Sequence, residues 1–135
     1  MNKLLGLLVL ILSTCGIQAQ DVWETYFQDS QLKVEFRYAD CHDEANGIHQ
    51  QKVLLRFLNL TKSALEVSYQ RKPDYGEGYT SETNLQHIRL GANAVMEGSC
   101  TEKDKSLFLF SRHLNRQGRS LQRFELANIQ AIIVK

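Results

Sequence analysis

The chain has little of most things that mark a specialised class of protein. Its 135 residues include one proline (Pro73), one tryptophan (Trp23), two methionines and three cysteines. Neither sign of charge dominates, with 16 Lys and Arg against 15 Asp and Glu. A chain without a basic surplus lacks the electrostatic footprint of a nucleic-acid binder, so nucleic acid is not expected as a partner. No stretch of useful length repeats its apolar residues at a helical period, which argues against a helical bundle. There is no G-x-S-x-G elbow and no H-E-x-x-H pair, so neither of those hydrolytic chemistries has an anchor. The one long-range constellation of nucleophile and base would need a free cysteine, and the cysteines are expected to be tied up. We therefore expect no catalytic residue, no metal site and no cofactor.

What is present begins with an export signal. Lys3 supplies a positive start, Leu4 to Leu12 an apolar run of nine residues, and Ser13, Thr14, Gly16 and Ala19 a small-residue end. The run is far short of the roughly 20 apolar residues that span a bilayer. Residues 1–19 read as a signal peptide and residues 20–135 as one domain. A second reading places Cys15 in a lipobox, Leu12-Ser13-Thr14-Cys15-Gly16, which would make the protein a membrane-anchored lipoprotein of the cell envelope. Without lipidation at Cys15 no membrane association is expected. The expected location is secreted or periplasmic.

Removing Lys3 leaves 15 basic and 15 acidic residues, a formal charge of zero. The segment from Arg112 to Lys135 is locally basic, with four Arg and one Lys against one Glu. Two cysteines remain, Cys41 and Cys100, and an exported chain with two cysteines most simply forms one disulfide. Closing that loop contributes roughly 4 kcal/mol in the chain-entropy account.

The densest apolar run, Lys52 to Thr61, suits a strand covered on both faces. Leu32 to Tyr38 alternates strictly, with Leu32, Val34, Phe36 and Tyr38 on one face. Short strands are also expected at 22–27, 65–70, 85–90, 94–97, 106–111, 121–126 and 128–135. Residues 65–70 should pair with the Lys52 run as a hairpin, and 106–111 should be central. Ala39 to Gln50 reads as a polar connection turning at Asn46-Gly47. Arg71 to Asn84 reads as a long polar excursion, and Arg112 to Ser120 as a hairpin loop. Trp23 is expected to cover one end of the core. Seven to nine short strands separated by turn chemistry predict an all-β fold, an antiparallel β-sandwich that is immunoglobulin-like in the broad sense. The disulfide should pin connections at one end of it, because Cys41 follows a strand and Cys100 sits in a turn.

The early tryptophan, the strand leading into Cys41, the apolar strand closing in Asn59-Leu60-Thr61 and the signal ending in Ala19-Gln20 resemble small single-domain secreted proteins of unknown function from Gram-negative bacteria. The resemblance implies a secreted β-sandwich and no particular activity. Asn59-Leu60-Thr61 also matches a glycosylation sequon.

Two loops carry the candidate binding residues. Tyr75 and Tyr79, spaced by glycines, offer adaptable aromatic contacts of the kind paratope loops use. Arg112, Arg116 and Arg119 could hold a phosphate, a carboxylate or an acidic sugar. The expected function is a non-catalytic exported module that binds a partner protein or a surface glycan. The alternative is a periplasmic metal-binding protein using His42, His49, His87 or His113 with acidic help from Asp43 and Glu44, although their spacing matches no standard ligand pattern.

Overall fold

The computed structural model describes residues 22–80 and 85–135. The signal segment, the lipobox with Cys15, and Ser81 to Asn84 lie outside them. The strands are β1 (Glu24–Gln28), β2 (Leu32–Asp43), β3 (Ile48–Asn59), β4 (Leu65–Asp74), β5 (Gln86–Leu90), β6 (Val95–Glu97), β7 (Phe108–His113) and β8 (Arg123–Ile133). They form two antiparallel sheets. One runs β1-β2-β3-β6, with β7 also on β3, and the other runs β5-β4-β8. The protein is all-β, and a sandwich of the two sheets fits this arrangement. Among the described residues no helix is long and apolar enough to cross a membrane.

The organising unit is the β2–β3 hairpin, in register from Leu32 opposite Asn59 to Asp43 opposite Ile48. The expected polar connection over 39–50 is mostly strand. It narrows to one 3-10 turn at Glu44–Asn46, capped by Asp43 and closed by Gly47 at φ 62°. Only a residue tolerant of the left-handed region closes this turn cheaply, which is why Asn46-Gly47 was legible and the strands around it were not. Polar side chains do not exclude a strand whose outward positions face water.

β3 is central, as its composition requires. Its odd-numbered residues Val53, Leu55 and Phe57 join Leu32 and Val34 of β2, Leu65, Val67 and Tyr69 of β4, and Leu126 of β8 in the main core. Leu54 points the other way, into a smaller cluster with Ala39 and Cys41 that Trp23 and Phe108 cover. Trp23 therefore covers the opposite side of the hairpin rather than an end of the main core. The alternation on β2 also changes sides. Leu32 and Val34 are buried in the main core, Tyr38 is exposed, and Ala39 and Cys41 are buried on the far face.

Three expected pairings are corrected. β4 does not pair with β3; the turn between them carries the chain to the second sheet, where β4 lies between β5 and β8. Among the described residues β7 pairs only with β3, which places it at the edge of the first sheet and not at the expected central position. Of the expected hairpin loop over 112–120, Arg112 and His113 belong to β7, and the rest passes on towards β8 in the other sheet without a β7–β8 ladder. The segments 121–126 and 128–135 contribute to one strand, β8 (Arg123–Ile133), which bulges around Asn128 at φ 53°. Apolar alternation says which side chains are inward, and it is blind to which sheet supplies the neighbour.

β6 and β7 share one edge of β3 end to end. Arg56 to Leu58 pair with β6, and Gln50 to Leu54 with β7. Gly98 sits at the junction and donates to the carbonyl of Leu55 at 2.8 Å. A Cβ there would lie 2.2 Å from the Leu107 carbonyl oxygen, so the position admits only glycine. Asn59 ties the opposite end together. It is 3 % exposed. Its Nδ2 donates to the carbonyls of Ser63 at 2.8 Å, Gly91 at 2.8 Å and Leu90 at 3.4 Å. Its Oδ1 accepts from Thr61 N–H at 2.9 Å and Thr61 Oγ1 at 2.8 Å. The sequon asparagine is thus a buried structural hub, with its amide nitrogen fully engaged.

Tyr26 of β1 joins the sheets at another point. Its hydroxyl accepts from the backbone N–H of Leu126 at 2.8 Å, and its ring stacks on Phe124 at 5.9 Å.

Candidate functional site

Asp74 ends β4, beyond the reach of β5, with β8 on one side and a bridge to Tyr79. Pro73, the missing amide donor, is tolerated in this part of β4 because β5 stops pairing at Tyr69. Asp74 is buried although ionisable. Its Oδ1 accepts the backbone N–H of Gly76 at 2.8 Å and of Gly78 at 3.1 Å, and its Oδ2 accepts from Arg123 Nε at 2.8 Å. Gly76 and Gly78 stand at φ 109° and 90°, which lets both amides turn towards one carboxylate. Arg123 and the two glycine amides hold the Asp74 carboxyl below the usual carboxylate range. The Tyr75-Gly-Glu-Gly-Tyr79 loop is therefore folded around a fixed anion.

That folding presents the two tyrosines. The Tyr75 hydroxyl donates to the Phe110 carbonyl at 2.8 Å, which ties the loop to β7. Tyr79 bridges back to Asp74 and is 42 % exposed. The Arg119 guanidinium stands 4.7 Å from the centre of the Tyr75 ring, and that of Arg123 stands 4.1 Å from Tyr79. Cation–π contacts at this exposure are worth about 0.5–1 kcal/mol each. Tyr75, Glu77, Gly78, Tyr79, Thr80 and Arg119 line an open groove of about 270 Å³.

The structure thus brings together three of the five expected binding residues, Tyr75, Tyr79 and Arg119. Arg112 is exposed on β7 opposite Gln51, outside the groove lining. Arg116 also lies outside it, with Nη2 3.1 Å from His113 Nε2. Sequence reasoning missed Asp74 and Arg123, which organise the loop without lining it. An aspartate placed before a tyrosine and two glycines is the signal that could have found Asp74, since Asx side chains bind the backbone two residues on.

A second charged cluster lies on the outer side of the β2–β3 hairpin. Glu35, 4 % exposed, takes two donors from Arg56, Nε at 3.1 Å and Nη2, and an ion pair from Lys33 at 3.0 Å. Burial pushes the Glu35 carboxyl up, and the hydrogen bonds from Arg56 and Lys33 outweigh it, leaving the group below its ordinary range. The guanidinium of Arg56 stands 4.4 Å from the Trp23 ring centre and that of Arg37 5.1 Å. Trp23 therefore holds two arginines of β2 and β3 beside the hairpin.

Cys41 and Cys100 form the expected disulfide, across 59 residues. Cys41 lies within β2, two residues before its end, rather than beyond the strand. A groove of about 520 Å³ runs beside the bond, lined by Asp43, Glu44, Lys52, Glu102 and Lys103 among others. Lys52 is buried there, donating to the Cys100 carbonyl at 3.1 Å with its ammonium 4.6 Å from the Phe108 ring centre.

Of the histidines, His42 and His49 stand opposite each other in the β2–β3 ladder. His87 lies on β5 and His113 at the end of β7. Among the described residues no group of three or more His, Cys, Asp or Glu is placed to hold a metal ion.

No protein-family model, curated protein or solved structure matches the chain.

Proposed function

We propose that this chain is an exported, non-catalytic binding module that recognises a partner protein or surface glycan through the groove between the Tyr75–Thr80 loop and Arg119. The observation that carries the reading is the stacking of the Arg119 guanidinium on Tyr75 beside the exposed Tyr79. Two aromatic faces and a cation around an open groove suit a ligand with both a flat apolar surface and an anionic group, such as an acidic sugar or a carboxylate-bearing peptide. Asp74 supports this by fixing the loop in advance, which lowers the ordering cost of binding. The finer fold reading, an immunoglobulin-like sandwich of seven to nine strands, belongs to the same proposal, and such a fold hosts many binding functions.

The disulfide is compatible with an oxidising, extracellular compartment. Secretion, with residues 1–19 as signal, is part of the proposal, and lipidation at Cys15 is the alternative form of export. Screening the purified protein against acidic and neutral glycans and envelope proteins tests the reading. The expected result is a ligand whose affinity falls about tenfold or more in both Tyr79→Ala and Arg119→Ala, the scale of a binding hot spot. A ligand bound equally well by both variants would remove the groove from the account.

A further inference from the structure

We infer that His42 and His49 form a two-imidazole copper(II) site on the β2–β3 hairpin, a site that does not rest on the groove reading above. The hairpin register sets the two residues directly opposite each other. Their Nδ1 atoms converge to 2.8 Å, with ring centres 5.1 Å apart. The β2–β3 ladder continues past them to Asp43 and Ile48, and Glu44–Asn46 closes the tip.

Ligand type selects among metals, since imidazole suits copper, nickel and zinc and copper(II) binds such a set most tightly. The observed 2.8 Å is the length of the hydrogen bond that joins the two rings in the metal-free chain, and a small ring rotation would let both nitrogens face one ion. Square-planar nitrogen and oxygen coordination is the preference of copper(II) and nickel(II), and of those two copper binds the more tightly at a given set of ligands.

Glu44 Oε2 lies 3.8 Å from His49 Nε2, beyond hydrogen-bond reach, so the pair's Nδ1 contact is the feature that carries the site. In the metal-free protein the short contact is a hydrogen bond, so one Nδ1 carries a proton. On binding, copper takes both Nδ1 lone pairs, and that proton moves through solvent to the Nε2 of the same ring. No net proton or electron is transferred, and the two remaining positions of the square are left to water. His42 is exposed, so solvent reaches the pair.

Titration of the purified full chain with copper(II), read by electron paramagnetic resonance, tests the site. The expected spectrum is one tetragonal copper per chain with hyperfine structure from two nitrogens. His42→Ala and His49→Ala should each abolish that signal, while His87→Ala leaves it unchanged. Zinc should compete poorly. The near-ultraviolet circular dichroism of each variant shows that the hairpin remains folded. Absence of stoichiometric copper, or a spectrum unchanged in both His42→Ala and His49→Ala, would overturn the inference.

Discussion

Replacing Asn59 tests the claim that one buried amide holds an end of the molecule together. Four of its contacts are well formed, at 2.8, 2.8, 2.9 and 2.8 Å, and the Leu90 carbonyl lies further off at 3.4 Å. At a net value of about 1 kcal/mol for each well-formed bond, Asn59→Ala should cost about 4 kcal/mol. A domain of this size has roughly 5–15 kcal/mol in all, so the variant would be severely weakened. In urea, with a slope near 2 kcal/mol/M, the midpoint should fall by about 2 M. Asn59→Asp is the sharper probe because it keeps the shape and the two bonds from Thr61. It replaces a donor facing three carbonyls with an oxygen that repels them. The carboxylate form is thereby disfavoured in the folded state, so the pKa of the introduced group is raised there above its unfolded value. Its stability relative to the native chain is then greatest below the unfolded carboxyl pKa and is lost as pH rises through the folded one. At neutral pH the cost should equal or exceed that of alanine, and in acid it should shrink, because a neutral acid can donate one hydrogen bond. Urea melts of both variants across this range decide the matter. An alanine cost under about 1 kcal/mol, or an aspartate variant as stable as the parent at neutral pH, would refute the reasoning.

Other perturbations have equally definite outcomes. Glu35→Gln should destabilise the protein by about 2 kcal/mol at neutral pH, since Arg56 is part-exposed and recovers some hydration. Because the Glu35 carboxyl is held low in the folded state, its stabilisation is present above the unfolded carboxylate pKa and is lost as pH falls through the folded one. The difference between the variant and the parent should therefore shrink in acid melts. Gly98→Ala forces a methyl group against the Leu107 carbonyl and should cost about 3 kcal/mol or more, seen as a lower thermal midpoint. Reducing Cys41–Cys100 should remove roughly 4 kcal/mol, measured as a shifted urea midpoint with and without reductant.

The sequence spoke clearly where local chemistry decides structure. Strict alternation gave the inward face of Leu32 to Phe36, and composition gave the central place of Lys52 to Asn59, because both follow from side-chain period and burial alone. The same reasoning lost Ala39 to Gln50. Its strands are polar outside a single apolar stripe, and that stripe changes sides near Tyr38. Had Asn46-Gly47 been read as the tip of a long hairpin, His42 and His49 would have fallen opposite each other by counting outward. The assignment of β4 and β8 to a second sheet was not legible, because pairing partners are chosen by packing distant in sequence. In the candidate site, Tyr75, Tyr79 and Arg119 were legible as residue types suited to recognition. Asp74 and Arg123 were not, because their part is to fix the loop and not to present a surface.

The contact of Tyr26 with Leu126 bears on how molecules of this chain meet one another. Among the described residues β8 has a ladder partner only along β4, so its other margin is a row of backbone groups that a strand from another molecule could join. The Tyr26 hydroxyl already occupies the amide at Leu126 on that margin. A foreign strand could not run along β8 without first expelling a phenol whose ring is stacked on Phe124. A single side chain thus serves as a guard on the β8 edge, and it leaves association to the far end of that strand, where Ile132 and Ile133 are exposed.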